Sequence, residues 1–309
     1  MIDILMATYN GEKFLDTQIA SIVNQTYTDW KLYIHDDGSN DSTKRIIQKW
    51  CGQDNRIVFV DDGICFHNPA QNFMHLLPFS TADFISFTDQ DDYWLEYKLE
   101  RMLENFGDSA NPKLLVSSCF LWNTGKETII KKPDYKKAFS LEQFIFLNGG
   151  LQGCAMMFNA ALRDILLVHS VDYVYMHDHL ISLVAFTFGS VVYINDALFL
   201  YRQYDGNVSV HVEESKLARL KQVVENSSVP VIYTPVFEGT KAFFYAYRNE
   251  IPNNAKKIFL LYLRLPSFSF ANRFFLIAKS SFSLGCGGHI KLILKLLLRK
   301  FCSEKLTNA

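Results

Sequence analysis

Through its first two hundred residues the chain alternates between short apolar runs and amphipathic stretches, which leaves few ways to fold it. The runs at 2–7, 31–36, 57–61, 83–88, 114–121, 154–158 and 191–202 are rich in branched and aromatic residues and predict strands. Between them, 11–25, 41–51, 95–106, 140–147, 160–168 and 178–188 predict helices. Such strand–helix–strand units imply an α/β, Rossmann-like fold, with a mostly parallel sheet and helices on both faces. Ligands of these sheets bind beyond the carboxyl ends of the strands. The residues that follow each run are therefore the first candidates for a site.

Two acidic clusters stand at such ends. Asp36-Asp37 closes the run that begins Lys31-Leu32-Tyr33-Ile34, and Asp89-Gln90-Asp91-Asp92 follows Asp83-Phe84-Ile85-Ser86-Phe87-Thr88. Three carboxylates in four residues repel one another unless something cationic neutralises them. A hard divalent ion with oxygen ligands, shared with a phosphate-bearing substrate, would do so; a solvated acidic turn is the alternative. Asp36-Asp37-Gly38-Ser39-Asn40-Asp41-Ser42-Thr43 reads as a strand end, a Gly turn and a helix start, with Asp41 or Ser42 as the cap. Asp36 and Asp37 are not needed as caps and could accept hydrogen bonds from a pyrimidine imide or ribose hydroxyls. Thr8-Tyr9-Asn10, after the first strand, puts an aromatic face and amide groups beside them. The Gly-rich phosphate loops of dinucleotide and P-loop folds are absent, so phosphates would need a metal.

Ala7-Thr8-Tyr9-Asn10, then Asp36-Asp37-Gly38-Ser39 with Asp41, then Asp89-Gln90-Asp91, in this order and spacing, resemble family 2 of the inverting glycosyltransferases. The resemblance covers about residues 1–210 and implies the GT-A fold. Asp89-Gln90-Asp91-Asp92-Tyr93-Trp94, Leu151-Gln152-Gly153-Cys154 and Tyr201-Arg202-Gln203 are similar to a bacterial subgroup often described as rhamnosyltransferases. By this resemblance Thr8, Tyr9, Asp36 and Asp37 would hold the nucleoside, and Asp89 would lie near ribose. Asp91, with Asp92, would bind the Mg²⁺ or Mn²⁺ that bridges the diphosphate. Arg202 would add a cation near the phosphates, and Gln152 would face the acceptor. Many relatives carry His after Tyr-Arg-Gln as a further metal or phosphate ligand. This chain has Tyr204, then Asp205-Gly206-Asn207, so Asp205 or His211 would substitute, or the ion would rest on Asp91 alone.

Met176-His177-Asp178-His179 opens the apolar stretch 180–188. A carboxylate in a first helical turn gains a few tenths to about 1 kcal/mol from the helix dipole, so Asp178 could simply start a helix. In the family an acidic residue here is the general base, and the resemblance gives Asp178 that role. It would take the acceptor hydroxyl's proton as that oxygen attacks the anomeric carbon from the face opposite the nucleotide. His177 either orients Asp178 or is a buried core residue. A zinc site on His177 and His179 is disfavoured, because i, i+2 side chains on a helix diverge by about 200°. Tyr93 and Trp94 could stack on a pyranose as acceptor-site residues, or Trp94 could pack its helix against the sheet.

The net charge of −1 hides an asymmetry. From Lys241 onward twelve Lys and Arg face only Glu250 and Glu304, an excess of ten positive charges, which leaves residues 1–240 at about −11. Residues 1–210 are expected to form the catalytic domain, 211–240 a linker, and 241–309 a basic helical region. Its segment 289–301 has Ile290, Ile293, Leu294, Leu297, Leu298 and Phe301 on one face, opposite Lys291, Lys295 and Arg299. It would lie on a membrane surface or pack on the catalytic domain. The aromatics share the apolar face, which argues against nucleic acid. Six cysteines without CxxC spacing predict reduced thiols, and no secretion signal or spanning helix is expected.

Together these features predict a metal-dependent inverting glycosyltransferase, cytoplasmic and peripheral at the inner face of the cell membrane. It would move rhamnose or a hexose from a dTDP- or UDP-sugar to a growing, lipid-linked bacterial surface polysaccharide of the capsule or O-antigen kind. The alternatives are a catalytically degenerate scaffold of the same fold and a nucleotidyltransferase. Gly11-Glu12-Lys13 is a poor version of the basic, Gly-rich loop that the latter needs.

Overall fold

The computed structural model describes residues 1–107, 110–131, 137–147, 151–204, 230–282, 289, 292, 293, 295, 296 and 301. In chain order the strands are β1 (Ile2–Thr8), β2 (Trp30–Asp36), β3 (Ile57–Phe59), β4 (Phe84–Thr88), β5 (Tyr93–Trp94), β6 (Lys113–Asn123), β7 (Thr128–Lys131), β8 (Met156–Asn159) and β9 (Ser190–Gln203). The helices are α1 (Leu15–Val23), α2 (Thr43–Gln53), α3 (Pro69–Leu76), α4 (Lys98–Phe106), α5 (Leu141–Phe144), α6 (Ala160–Val168), α7 (His177–Phe188), α8 (Thr234–Tyr247), α9 (Asn253–Arg264) and α10 (Phe270–Lys279).

All the strands join one sheet in the order β3-β2-β1-β4-β8-β6-β9-β5, with β7 on β6. The first four pair in parallel, so their carboxyl ends open on one crevice. β1 is buried along almost its whole length, as expected of a parallel strand covered on both faces. Beyond β4 the sheet becomes mixed: β8 is antiparallel to β4 and β6, β9 is parallel to β6, and β5 is antiparallel to β9. The α/β class is as expected, and the parallel character belongs to the half built from β1 to β4.

Several boundaries moved for local reasons. α1 begins at Leu15, because residues 11–14 turn back on themselves, with Leu15 N–H bonded to Gly11 O at 3.0 Å. α3 was not anticipated. Its start is marked by Asn68, whose side chain accepts from Gln71 N–H, and by Pro69 in the first turn.

α8 begins at Thr234, inside the stretch expected to be a linker. The C-terminal helices share the apolar core of the sheet: Phe243, Tyr247, Phe259 and Tyr262 are all buried. Tyr247 Oη donates to Ile165 O at 3.0 Å. Of the stripe expected at 289–301 only Ile293 and Phe301 are among the described residues, the first partly buried and the second buried; Leu292 and Leu296, outside that stripe, are buried too. Among the described residues no helix is long and apolar enough to cross a membrane. Cys51, Cys65, Cys119 and Cys154 are free thiols.

Candidate functional site

The two loops after β1 and β2 are stitched together by side chains from the motifs themselves. Asn10 adopts φ 49°, a left-handed conformation that Asn tolerates better than most residues. There its N–H donates to Ser39 Oγ at 2.7 Å, and its Oδ1 accepts from Asn40 N–H at 3.0 Å. Gly38, at φ +86°, makes the turn between them. Asp41 is the residue that holds the start of α2, accepting from Thr43 N–H at 2.9 Å, whereas Ser42 makes no side-chain cap bond.

Asp36 and Asp37, expected as nucleoside ligands, are both buried and engaged with the protein. Asp36 accepts from Thr8 Oγ1 at 3.0 Å, from Ser39 N–H at 2.9 Å and from Ser39 Oγ at 2.5 Å, with Lys44 Nζ 3.7 Å away. Asp36 and the buried Thr8 hydroxyl thus tie the two loops together. Asp37 binds the backbone N–H groups of Phe66 and His67 through Oδ1 and that of Asn68 through Oδ2. One lone pair of Oδ2 remains for an incoming donor. Tyr9, half exposed, faces outward as an aromatic platform.

Gln90, the residue between the acids, carries no charge, and the motif gives it no role of its own. Its amide accepts from Tyr9 N–H and donates to Tyr9 O, each at 3.0 Å, tying the acidic loop to the β1 loop. A Cβ on Gly11 would lie 2.3 Å from Gln90 Oε1, which explains the glycine.

The three carboxylates divide by depth. Asp92 is fully buried, with Oδ1 accepting from Arg202 N–H at 3.2 Å and Oδ2 without a protein partner. Asp89 and Asp91 are half-buried at the crevice. Donor atoms of Asp89, Asp92 and Cys154 lie within 4.8 Å of one another. Burial and the charge of Asp91 push Asp89 up to about 6. Burial also raises Asp91, against the hydrogen bond from Tyr204 Oη to its Oδ2 at 2.7 Å. Asp91 and Asp92, expected as a ligand pair, thus face different neighbours.

Two internal cations attend this cluster. Lys98 is completely buried; Nζ donates to Cys154 O at 2.7 Å and stands 3.7 Å from the centre of the Trp94 ring. Its charge acts on both Asp89 and Asp92. Arg202 stacks on Trp122 at 3.9 Å and on Phe14 at 4.4 Å, while Nε donates to Asp91 O at 2.7 Å. Held so, Arg202 braces the acidic loop. Trp94, expected at the acceptor site, is corrected: at 1% exposure beside Lys98 Nζ, its ring belongs to the core.

Asp178 lies in the first turn of α7, near enough to Asp89 for that charge to act on it. Burial and then the charge of Asp89 push it up to about 7, against the backbone N–H groups of His179 and Gly153. Its Oδ1 has no protein partner. His177 does not orient it. That ring stacks on Phe73 at 3.9 Å and burial holds it neutral. A Cβ on Gly153 would lie 2.5 Å from His177 Nε2, so the glycine of Gln152-Gly153 lets α7 approach the turn. His179 turns away toward Thr240 Oγ1, 3.5 Å distant, so the two histidines share no zinc ion. Gln152 immediately precedes the Gly153–Ala155 turn, and its Oε1 lies 3.9 Å from Cys119 Sγ. Asp205 and His211 lie outside the described residues.

The sequence model of "Glycosyl transferase family 2" matches residues 3–169, more than half of the chain. The chain belongs to glycosyl transferase family 2. Among curated family relatives it is similar to the Escherichia coli UDP-Glc:alpha-D-GlcNAc-diphosphoundecaprenol beta-1,3-glucosyltransferase WfgD, 25% identical over 57% of this chain and 65% of that protein. It is also similar to the Shigella flexneri dTDP-rhamnosyl transferase RfbG, 32% identical over 32% of this chain and 36% of that protein. The matches therefore span under two thirds of these relatives' own lengths. In fold it resembles Staphylococcus aureus TarS 1–349 in complex with UDP-GlcNAc, with TM-score 0.58 and 17% identity over 91% of this chain and 76% of that one. It also resembles a Pyrobaculum calidifontis mannosyltransferase in complex with GDP-Man and Mn²⁺, with TM-score 0.54 and 14% identity over 96% and 85% of the two chains. These likenesses show the GT-A fold for this family 2 chain.

Proposed function

We propose that this family 2 chain is an inverting glycosyltransferase that moves a sugar from a nucleoside-diphosphate donor to a lipid-linked glycan acceptor. The observation that carries the reading is the acidic loop at the carboxyl end of β4, with Asp178 at the start of α7 near enough for the charge of Asp89 to act on it. A carboxyl raised to about 7 is poised to accept a proton at neutral pH. Asp178 would take it from the acceptor hydroxyl as that oxygen attacks the anomeric carbon opposite the nucleotide. Tyr9 offers a face to the base, and Asp37 Oδ2 retains capacity for one donor hydrogen.

Asp89 and Asp91 present hard oxygen donors at the crevice and fit Mg²⁺ or Mn²⁺. Cys154 does not, because burial keeps its thiol protonated. A bound divalent cation would stabilise charge on the departing diphosphate. Tyr204 supplies this chain's own variation, since its hydroxyl already occupies Asp91 Oδ2. That cap also favours the rival reading of a degenerate scaffold. Hydrolysis of UDP- and dTDP-sugars with and without Mn²⁺ decides between them: turnover that needs the ion supports the enzyme, and none with any donor supports the scaffold. Tyr204→Phe frees a carboxylate lone pair and is expected to lower the Mn²⁺ concentration for half-maximal activity about tenfold to a hundredfold, the loss of one hydrogen bond to a charged group.

Names of relatives support the acceptor class, since WfgD and a Campylobacter jejuni glucosyltransferase are both described as acting on undecaprenol-linked saccharides. RfbG supports a dTDP-rhamnose donor and WfgD a UDP-hexose. A place at the inner face of the cell membrane is supported by α10, which exposes Phe270, Phe274 and Phe275 beside Arg273 and Lys279. An apolar, cationic face of this kind suits an anionic bilayer surface. Changing Phe274 and Phe275 together to Ser is expected to weaken flotation with anionic vesicles by about tenfold or more, at unchanged melting temperature. Equal flotation would remove α10 from membrane binding.

A further inference from the structure

On the far side of Asp37, three side chains that play no part in the transfer chemistry converge. His35 comes from β2, Asp62 from the loop after β3, and His75 from α3. One ligand atom from each lies within 4.8 Å of the others. His35 Nε2 is 3.3 Å from Asp62 Oδ1, and His75 Nε2 is 2.6 Å from Asp62 Oδ2. The first separation matches the roughly 3.4 Å between neighbouring ligands of a tetrahedral ion bound at about 2.0–2.1 Å.

Asn72 makes this more than an ion pair. Its Nδ2 faces Thr8 O at 3.5 Å, which turns Oδ1 toward His35 Nδ1 at 2.6 Å. An amide oxygen can only accept, so Nδ1 carries the hydrogen. In the neutral ring, Nε2 then directs its lone pair at a carboxylate oxygen. Two acceptors at that distance repel unless the ring takes a second proton or a metal cation lies between them. A histidine whose other ring nitrogen donates to a fixed oxygen is the usual outer-sphere arrangement of a metal ligand. His35 is 1% exposed, whereas the Asp62 side chain is 29% exposed and leaves a path for an ion.

We propose that His35, Asp62 and His75 form a second metal site, for a zinc-type transition ion, that pins the loop between β3 and α3. Two imidazoles and one carboxylate suit Zn²⁺ or Co²⁺ better than Mg²⁺ or Mn²⁺. Asp37 grips the same loop through the N–H groups of residues 66–68, so the ion braces one wall of the crevice. The assignment stands whether or not the chain transfers sugar.

The test is equilibrium zinc binding to the metal-stripped full chain, read by metal content, thermal shift and visible absorption with Co²⁺ as the probe. Wild type and Asp91→Asn should each bind one Zn²⁺, melt higher with it, and give the tetrahedral Co²⁺ spectrum. His75→Gln and Asp62→Asn, folded by circular dichroism, should weaken zinc binding more than tenfold and lose that spectrum. The assignment is overturned if wild type binds no zinc, or if both variants bind it as tightly as wild type. It is equally overturned if Asp91→Asn alone abolishes binding, which would place the ion on the acidic loop.

Discussion

Asp178→Asn is expected to lower the rate of sugar transfer by about 10²- to 10⁴-fold, the usual worth of a positioned general base. The affinity for the nucleotide sugar should change little, because the proposed role of Asp178 is to take a proton from the acceptor hydroxyl. The same residue sets a pH limb. A base works deprotonated, and burial with the neighbouring Asp89 charge holds this carboxyl at about 7. Wild-type kcat/KM should therefore fall tenfold per pH unit below about 7 and level off above it. A divalent cation on the acidic loop offsets Asp89 and should move the limb to lower pH. Asp178→Asn should abolish the limb. Turnover retained in the variant, with an unchanged profile, would remove Asp178 from the chemistry.

Lys98→Ala is expected to cost about 3–5 kcal/mol of stability, the penalty for leaving a buried charge unpaired. Lys98 sits in α4 at the spacing of its apolar face, with Leu99, Met102 and Phe106, and like them it is buried. Its ammonium lies beneath the acidic loop, where it offsets Asp92 and Asp89. Removing it leaves Asp92, fully buried, with a single N–H partner. Pairing Lys98→Met with Asp92→Asn removes both charges and should recover most of the loss. Urea denaturation of the three variants measures this. A Lys98→Ala chain within 1 kcal/mol of wild type would show that the acidic loop needs no internal cation.

The acidic loop shows how far residue patterns carry. The carboxylates at 89–92 were legible, as was the need for a compensating cation. The residue pattern pointed to a bound ion for that cation, whereas part of the charge comes from Lys98 and Arg202. A signal existed: Lys98 falls where helical spacing demands an apolar residue, and a charge there requires a partner. Gln90 gave no such signal, because its double bond to Tyr9 depends on where two distant loops end. Trp94 could have faced a sugar or the core, and its neighbours decided for the core.

Alternating periodicity, turn chemistry and three ordered motifs were enough to give the α/β class, the parallel half of the sheet and the crevice at its carboxyl ends. These are local properties, set by side-chain spacing along a single strand or helix. The roles of individual acids were not local. Asp36 binds Thr8 and Ser39, Asp37 binds the loop at 66–68, and Asp178 feels Asp89, each across many residues of chain. Whether a carboxylate holds a loop, a metal or a proton depends on its burial and on which partners reach it, and packing sets both.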